Sequence, residues 1–204
     1  MSALNVAVLF ARADSIYKLI DGADVYDMSR DARTFVGGLP VVAHPPCRAW
    51  GRLRQFANPR ADEKDLALFA VEQVRVNGGV LEHPAGSTLW DAAGLPRPGQ
   101  GRDAFGGFTL PIDQFWFGHK AAKKTWLYVC GVSPRDVPSF PMVFGIPSHV
   151  VDRSARPDGT RAKKGDLDWR PVLGKADREH TPVALGVWLC DLARMCSFAV
   201  RAAA

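Results

Sequence analysis

The chain is poor in the features that mark a secreted or membrane-bound protein. None of its apolar runs approaches the roughly 18 residues that cross a bilayer, and residues 1–10 carry no cationic lead-in, so neither a membrane span nor a secretory leader is expected. Only four of the 204 residues are cysteine, namely Cys47, Cys130, Cys190 and Cys196, and they are scattered without a paired spacing. Such usage predicts free thiols in a reducing, cytoplasmic setting. His44 and Cys47 stand three apart, but no CxxC or HxxxH supplies the other ligands of a closed zinc site, and no metal is expected. Acidic residues are also in deficit. The 21 Asp and Glu against 26 Lys and Arg leave a formal charge of +5, a modest lean towards a polyanionic partner.

At this length the chain suits one domain with a real core and one inserted lobe. Residues 5–10 and 23–27 read as strands, separated by a polar turn at 11–15 and a short helical pattern at 16–20. Residues 41–43 and 80–82 are two more strands. Between them lies the clearest helix, residues 61–77, with Leu66, Phe69, Ala70 and Val74 on one face and Asn77-Gly78-Gly79 as its stop. Glycine and proline make 94–107 a loop, after which 114–117 and 125–131 read as strands. Thr181-Pro182 then opens a last helix running through Val183, Val187, Leu189 and Leu192. Strands alternating with helices predict an α/β fold, a Rossmann-like, mostly parallel sheet flanked by helices. Residues 1–132 would form its catalytic core and 133–180 a small irregular basic lobe, with 181–204 a closing helix that returns to the core.

The most informative segment runs from Val41 to Trp50, Val-Val-Ala-His-Pro-Pro-Cys-Arg-Ala-Trp. Two prolines end a β-branched run, so Cys47 sits at the carboxyl end of a strand, the edge at which open α/β sheets bind ligands. Beside Arg48 its thiolate would be favoured and able to act as a nucleophile. The competing reading is a buried structural cysteine in a proline turn. The next strand ends Leu81-Glu82-His83-Pro84. Two consecutive parallel strands separated by one helix bring Cys47 and Glu82 to the same sheet edge. Taken alone, Glu82 is better read as an ordinary capping or salt-bridging carboxylate.

Read together, these segments resemble the catalytic domain of the cytosine carbon-5 DNA methyltransferases. Pro45-Pro46-Cys47 resembles that family's nucleophile loop, Leu81-Glu82-His83-Pro84 its Glu-Asn-Val or Glu-Asn-Pro segment, Lys124 to Gly131 its Arg-x-Arg strand, and the final helix its closing helix. The resemblance covers motifs and not whole chains, and short proteins of this type are most often carried by bacterial viruses. It implies transfer of a methyl or related group from S-adenosylmethionine to carbon 5 of a pyrimidine in DNA. Cys47 would add to carbon 6, and Glu82 would act at ring nitrogen 3, its pKa raised by burial against the base. Lys124 occupies the position of a base- or phosphate-contacting arginine, without the planar fork that arginine brings.

Two departures stand out. The family's Phe-x-Gly-x-Gly cofactor turn is here Phe10-Ala11-Arg12-Ala13-Asp14-Ser15, in which the phenylalanine matches and the glycines do not. Phe10, Asp14 and Ser15 remain the candidate cofactor residues there, with Asp27 as a ribose-binding acid or else an ordinary turn residue. Arg12 in that turn suits a phosphate better than a sulfonium. The stretch before the closing helix is also short for a sequence-reading lobe. Arg48, Arg52, Lys123, Lys163 and Lys164 are the candidate DNA-binding residues, and the competing reading for them is a solvated surface. Of Trp50, Trp116, Trp126 and Trp169, one at most would stack a flipped base. Two other readings stay open, an inert relative that binds DNA or a host protein, and an enzyme acting on a free pyrimidine nucleotide.

Overall fold

The computed structural model describes residues 4–152, 156 and 158–202, with side chains up to Cys196 in the last helix. Its centre is one six-stranded sheet built from β1 (Val6–Leu9), β2 (Ala23–Val25), β3 (Val41–Ala43), β4 (Gly79–Pro84), β5 (Phe108–Asp113) and β6 (Lys124–Cys130). They lie in the order β2-β1-β3-β4-β6-β5. The first four pair in parallel. β6 runs antiparallel to both β4 and β5, so the sheet is mostly parallel with one reversed strand. β1 and β3 are buried along their whole length, as expected of parallel strands covered on both faces.

Two helices cover those faces. α1 (Glu63–Asn77) buries Leu66, Ala67, Ala70, Val71 and Val74, spaced three and four apart, against Val41, Ala43 and Leu81. α4 (Val183–Ala202) buries Leu185, Leu189 and Leu192 against Val8, Val42, Val80 and Leu127 on the opposite face. Each such leucine contributes roughly 1.5–3 kcal/mol of burial. The turn from α1 into β4 requires glycine. Gly79 has φ +126°, and a Cβ there would lie 2.0 Å from the carbonyl oxygen of Val41.

One expected strand is absent. Residues 114–117 form a single 3₁₀ turn, because the Asp113 carboxylate accepts from Phe115 N–H at 3.0 Å and Gly118 in the left-handed region ends it. The strand lies just before, in β5, where Pro111 breaks the sequence pattern. Proline is tolerated there because β5 is the outermost strand. α1 begins at Glu63, two residues later than expected, and two short helices are additional, α2 (Leu89–Ala92) and α3 (Lys175–Glu179).

Residues 133–180 are irregular, as their composition suggests. Isolated bridges tie them down, Ala121 to His149 and Val150 to Val172, and Val137 and Phe140 pack against the core. No helix among the described residues is long and apolar enough to cross a membrane.

Candidate functional site

The strand order reverses between β1 and β3, and open α/β sheets bind ligands in the crevice outside the carboxyl ends of their strands at such a point. A cleft of about 780 Å³ opens there. Its walls come from the turn after β1 (Phe10 to Tyr17), the loop after β3 (His44 to Arg48), the end of β4 (Glu82 to Pro84), Lys123, and residues 175–183. Cys47 and Glu82 both line it. The register that sets Val42 opposite Val80 and Ala43 opposite Leu81 carries forward to His44 and Glu82.

Period-two alternation turns His44 and Glu82 towards the α4 face, along with Val42 and Val80. A row of hydrogen bonds crosses the strand ends on that face. The Tyr17 hydroxyl lies 2.7 Å from His44 Nε2, and His44 Nδ1 lies 3.1 Å from Glu82 Oε2. Gln114 Nε2 donates to Glu82 Oε1 at 3.0 Å and to Thr125 Oγ1 at 3.1 Å. The Oε1 of Gln114 is buried without a partner. Burial works against ionisation of Glu82, but the bond from His44 and the positive charge of Lys123 outweigh it and hold the carboxyl at about pKa 2. Burial of Tyr17 pushes its phenol well above the usual range, so it stays neutral.

Arg48 is not committed to the thiol, although its charge and that of the Cys47 thiolate still interact. Its guanidinium is turned onto the buried carboxylate of Glu63, and burial together with the charge of Glu82 raises the Cys47 thiol above its ordinary value, against the lowering effect of Lys123. In the free protein, with no base against it, Glu82 is a carboxylate, because the raising effect of burial is outweighed.

The other predicted residues are divided between the cleft and its surroundings. Lys124 does not line the cleft, and its ammonium is paired with Asp113 at 3.0 Å. Its neighbour Lys123 does line it and donates to the carbonyl of Arg178 at 3.1 Å. Asp14 is engaged by Arg12 and His180, and Ser15 caps the 3₁₀ turn that carries Tyr17. Arg12 pairs with Asp14 and Glu179 and is not available to a phosphate. Arg52 is exposed and lies 3.9 Å from Asp152, while Lys163 and Lys164 are exposed and do not line the cleft. None of the tryptophans lines it either. Its aromatic wall is Phe10 and Tyr17.

A second cavity, of about 440 Å³, shares Phe10, Ala11, His44, Pro46 and Arg48 with the cleft and reaches Asp27 at the end of β2. Asp27, Asp31, Asp62 and Glu63 outnumber Arg33, Arg48 and Arg60 on its walls. Cys47 does not line this cavity, and its carboxylates are paired with Lys18, Arg33, Arg48 and Arg60. Asp27 also accepts from the Ser29 hydroxyl and amide. Phe10 stands between the two spaces with φ +63°, a left-handed conformation uncommon for a residue other than glycine. Among the described residues no cluster of His, Cys, Asp and Glu is arranged to hold a metal ion.

Tyr17, His44 and Gln114 are the site residues the sequence reading missed. His44 was within reach of it, because His44 follows β3 at the offset at which Glu82 follows the matched positions of β4. Tyr17 and Gln114 lie in 3₁₀ turns and carry no comparable periodic signal. Comparison with known protein families matched none, and comparison with curated proteins found no relative.

Proposed function

We propose that this chain modifies carbon 5 of a pyrimidine, cytosine in DNA, through transient addition of Cys47 to carbon 6, and that its sheet is Rossmann-like. One observation carries the reading. A cysteine behind two prolines and a carboxylate on the neighbouring parallel strand line one cleft at the switch point of the sheet. The resemblance to cytosine carbon-5 DNA methyltransferases assigns these two residues the same roles.

The chemistry follows from the groups present. Cys47 Sγ bonds to carbon 6 and gives up its proton, the C5–C6 π pair shifts towards nitrogen 3, and a proton is taken up there. The proton lost by the thiol and the one gained by the ring balance. Carbon 5 then takes an electrophile and loses its hydrogen as a proton, the Sγ–C6 bond breaks to return the thiolate, and nitrogen 3 gives up the proton it took. Glu82 is the group placed to hold the ring edge, and neutralising it with a shared proton removes one cause of the raised Cys47 thiol. Lys123 favours both the thiolate and the carboxylate by its charge. S-adenosylmethionine is the donor this reading assigns to the second cavity, where it would supply an electrophilic methyl group. Phe10 and Asp27 would hold it, the latter on releasing Lys18.

A second reading, a free pyrimidine nucleotide as substrate, is favoured by the engagement of the basic residues. Arg48 and Lys124, two of the cations expected to meet the DNA, sit in ion pairs within the chain, and Lys163 and Lys164 do not line the cleft.

Exchange of the carbon-5 hydrogen for deuterium in D₂O tests addition without any donor. Mass spectrometry of a cytosine-containing oligonucleotide and of dCMP, each incubated with the chain, should show exchange with the wild type and none with Cys47→Ser. Exchange in the oligonucleotide alone supports DNA as substrate, and exchange in dCMP alone supports the second reading. No exchange in either overturns the enzyme and leaves a binding protein.

A further inference from the structure

We propose that His44 is a positioning residue for Glu82 and the reservoir of the proton that Glu82 delivers to the ring, with Tyr17 as its anchor. This rests on the reading of the cleft as a pyrimidine site. Two hydrogen bonds fix the imidazole at both nitrogens, Nδ1 to Glu82 Oε2 at 3.1 Å and Nε2 to the Tyr17 hydroxyl at 2.7 Å, and the ring lies 5.2 Å from that of Tyr17. The apolar register of β3 against β4 ends one residue earlier, at Ala43 and Leu81.

A carboxylate held in its ionised form has no proton to give to nitrogen 3. The shortfall is met by the group bonded to its Oε2. With His44 as imidazolium, its Nδ1 proton passes to Glu82 Oε2 and from Glu82 to nitrogen 3, so that Glu82 ends as the carboxylate it began. His44 is left neutral with its remaining proton on Nε2, directed at the Tyr17 oxygen. Tyr17 keeps its own proton throughout. The proton is lent and not consumed: nitrogen 3 gives it up when the Sγ–C6 bond breaks, and His44 is recharged by the same route.

The groups facing this pair come from every side. Tyr17 belongs to the turn after β1, Cys47 to the loop after β3, and Lys123 to the approach to β6, while Cys190 of α4 acts on Tyr17 from behind. His83 follows Glu82 on β4 but has its ring 6.4 Å from Trp90. Of these only His44 joins Glu82 to a second titratable group through hydrogen bonds at both ends.

The test measures carbon-5 hydrogen exchange against pH for the wild type, His44→Asn and Tyr17→Phe, with circular dichroism to establish that each is folded. Asparagine retains a donor near the Nδ1 position but cannot supply a proton. The expected result is a wild-type rate that falls as pH rises through one ionisation. That limb should be missing in His44→Asn, whose kcat is lower by on the order of 100-fold with KM changed only a few-fold. Tyr17→Phe should keep the limb and lose less rate. In parallel, ¹⁵N NMR of the free wild-type protein should show a proton on His44 Nδ1 throughout the pH range of the exchange profile.

A wild-type pH profile in His44→Asn overturns the relay alone. So does a loss confined to KM, or an Nδ1 that carries no proton in the spectrum. Absence of exchange in the wild type overturns the reading of the site and the relay with it.

Discussion

Arg12 and Glu179, separated by 167 positions in the chain, meet at 2.6 Å at the edge of the Cys47 cleft. The contact is one of a set. His180 Nε2 lies 3.2 Å from Asp14, Lys120 pairs with Asp177, and Lys123 donates to the carbonyl of Arg178. α3, which supplies most of these partners, buries no side chain of its own. It is held across the cleft by exposed charges, which salt screens, and not by apolar packing.

The first prediction concerns that strap. Amide hydrogen exchange over residues 175–180 should quicken by on the order of tenfold between low salt and roughly 0.5 M salt, while the amides of α4 near Leu189 stay protected. Glu179→Gln should reproduce part of the effect at low salt. Equal protection of the strap at both salt concentrations would show that something other than charge holds it.

Thiol chemistry supplies a second prediction. Cys130, Cys190 and Cys196 are buried, and burial pushes Cys190 and Cys196 up to about 12. Cys47 is partly open to the cleft and is raised by burial and by Glu82. Iodoacetamide at mildly alkaline pH should therefore label Cys47 first of the four, as read by peptide mass spectrometry. Glu82→Gln should speed that labelling several-fold, roughly 3–10-fold, because the thiolate loses a negative neighbour. An unchanged rate would mean that the carboxylate does not act on Sγ.

The two ligand-edge strands were legible in the sequence because each signal there is local. β-branched runs ending in His-Pro set the positions of β3 and β4, and one intervening helix sets them parallel, which brought Cys47 and Glu82 together without a structure. β5 was not legible, since the tolerance of Pro111 depends on its place at the sheet's edge, a property of the whole fold. The charge state of the site was also out of reach. Arg48 beside Cys47 in sequence turns away to Glu63, and Glu82 is governed by His44, 38 positions earlier. Lys124 and Lys123 differ by one position in a strand approach, and the pleat decides which of them meets the cleft.

A third prediction tests the glycine on which the register of β4 depends. Gly79→Ala places a Cβ against the backbone of Val41 at a φ that L residues rarely adopt. The cost should be about 2–4 kcal/mol, from clash and backbone strain together. Urea denaturation followed by fluorescence measures it, and Gly86→Ala, where a Cβ would meet nothing within 4 Å, is the control for the positive φ alone. Equal losses in the two variants would assign the whole effect to φ.

The last prediction follows from two neighbours on β4 that resist protonation for different reasons. Burial lowers His83 from 6.5 to about 4, against the raising effects of Glu82 and the Pro46 backbone. Glu82 is held at about 2 against 4.5, because the His44 bond and nearby positive charge outweigh its burial. In both cases the unfolded chain binds the proton more readily than the folded one. The stability due to His83 is therefore complete above pH 6.5 and lost as pH falls towards 4, an effect of about 3 kcal/mol at most. That due to Glu82 is complete above 4.5 and lost below it. Urea midpoints at pH 7, 5.5 and 4.5 should decline in the wild type across the first window. His83→Gln removes the titrating ring, so its midpoints should stay nearly level between pH 7 and 5 and decline only where Glu82 and other carboxylates take up protons. The same decline in both proteins across the first window would locate the acid sensitivity elsewhere in the chain.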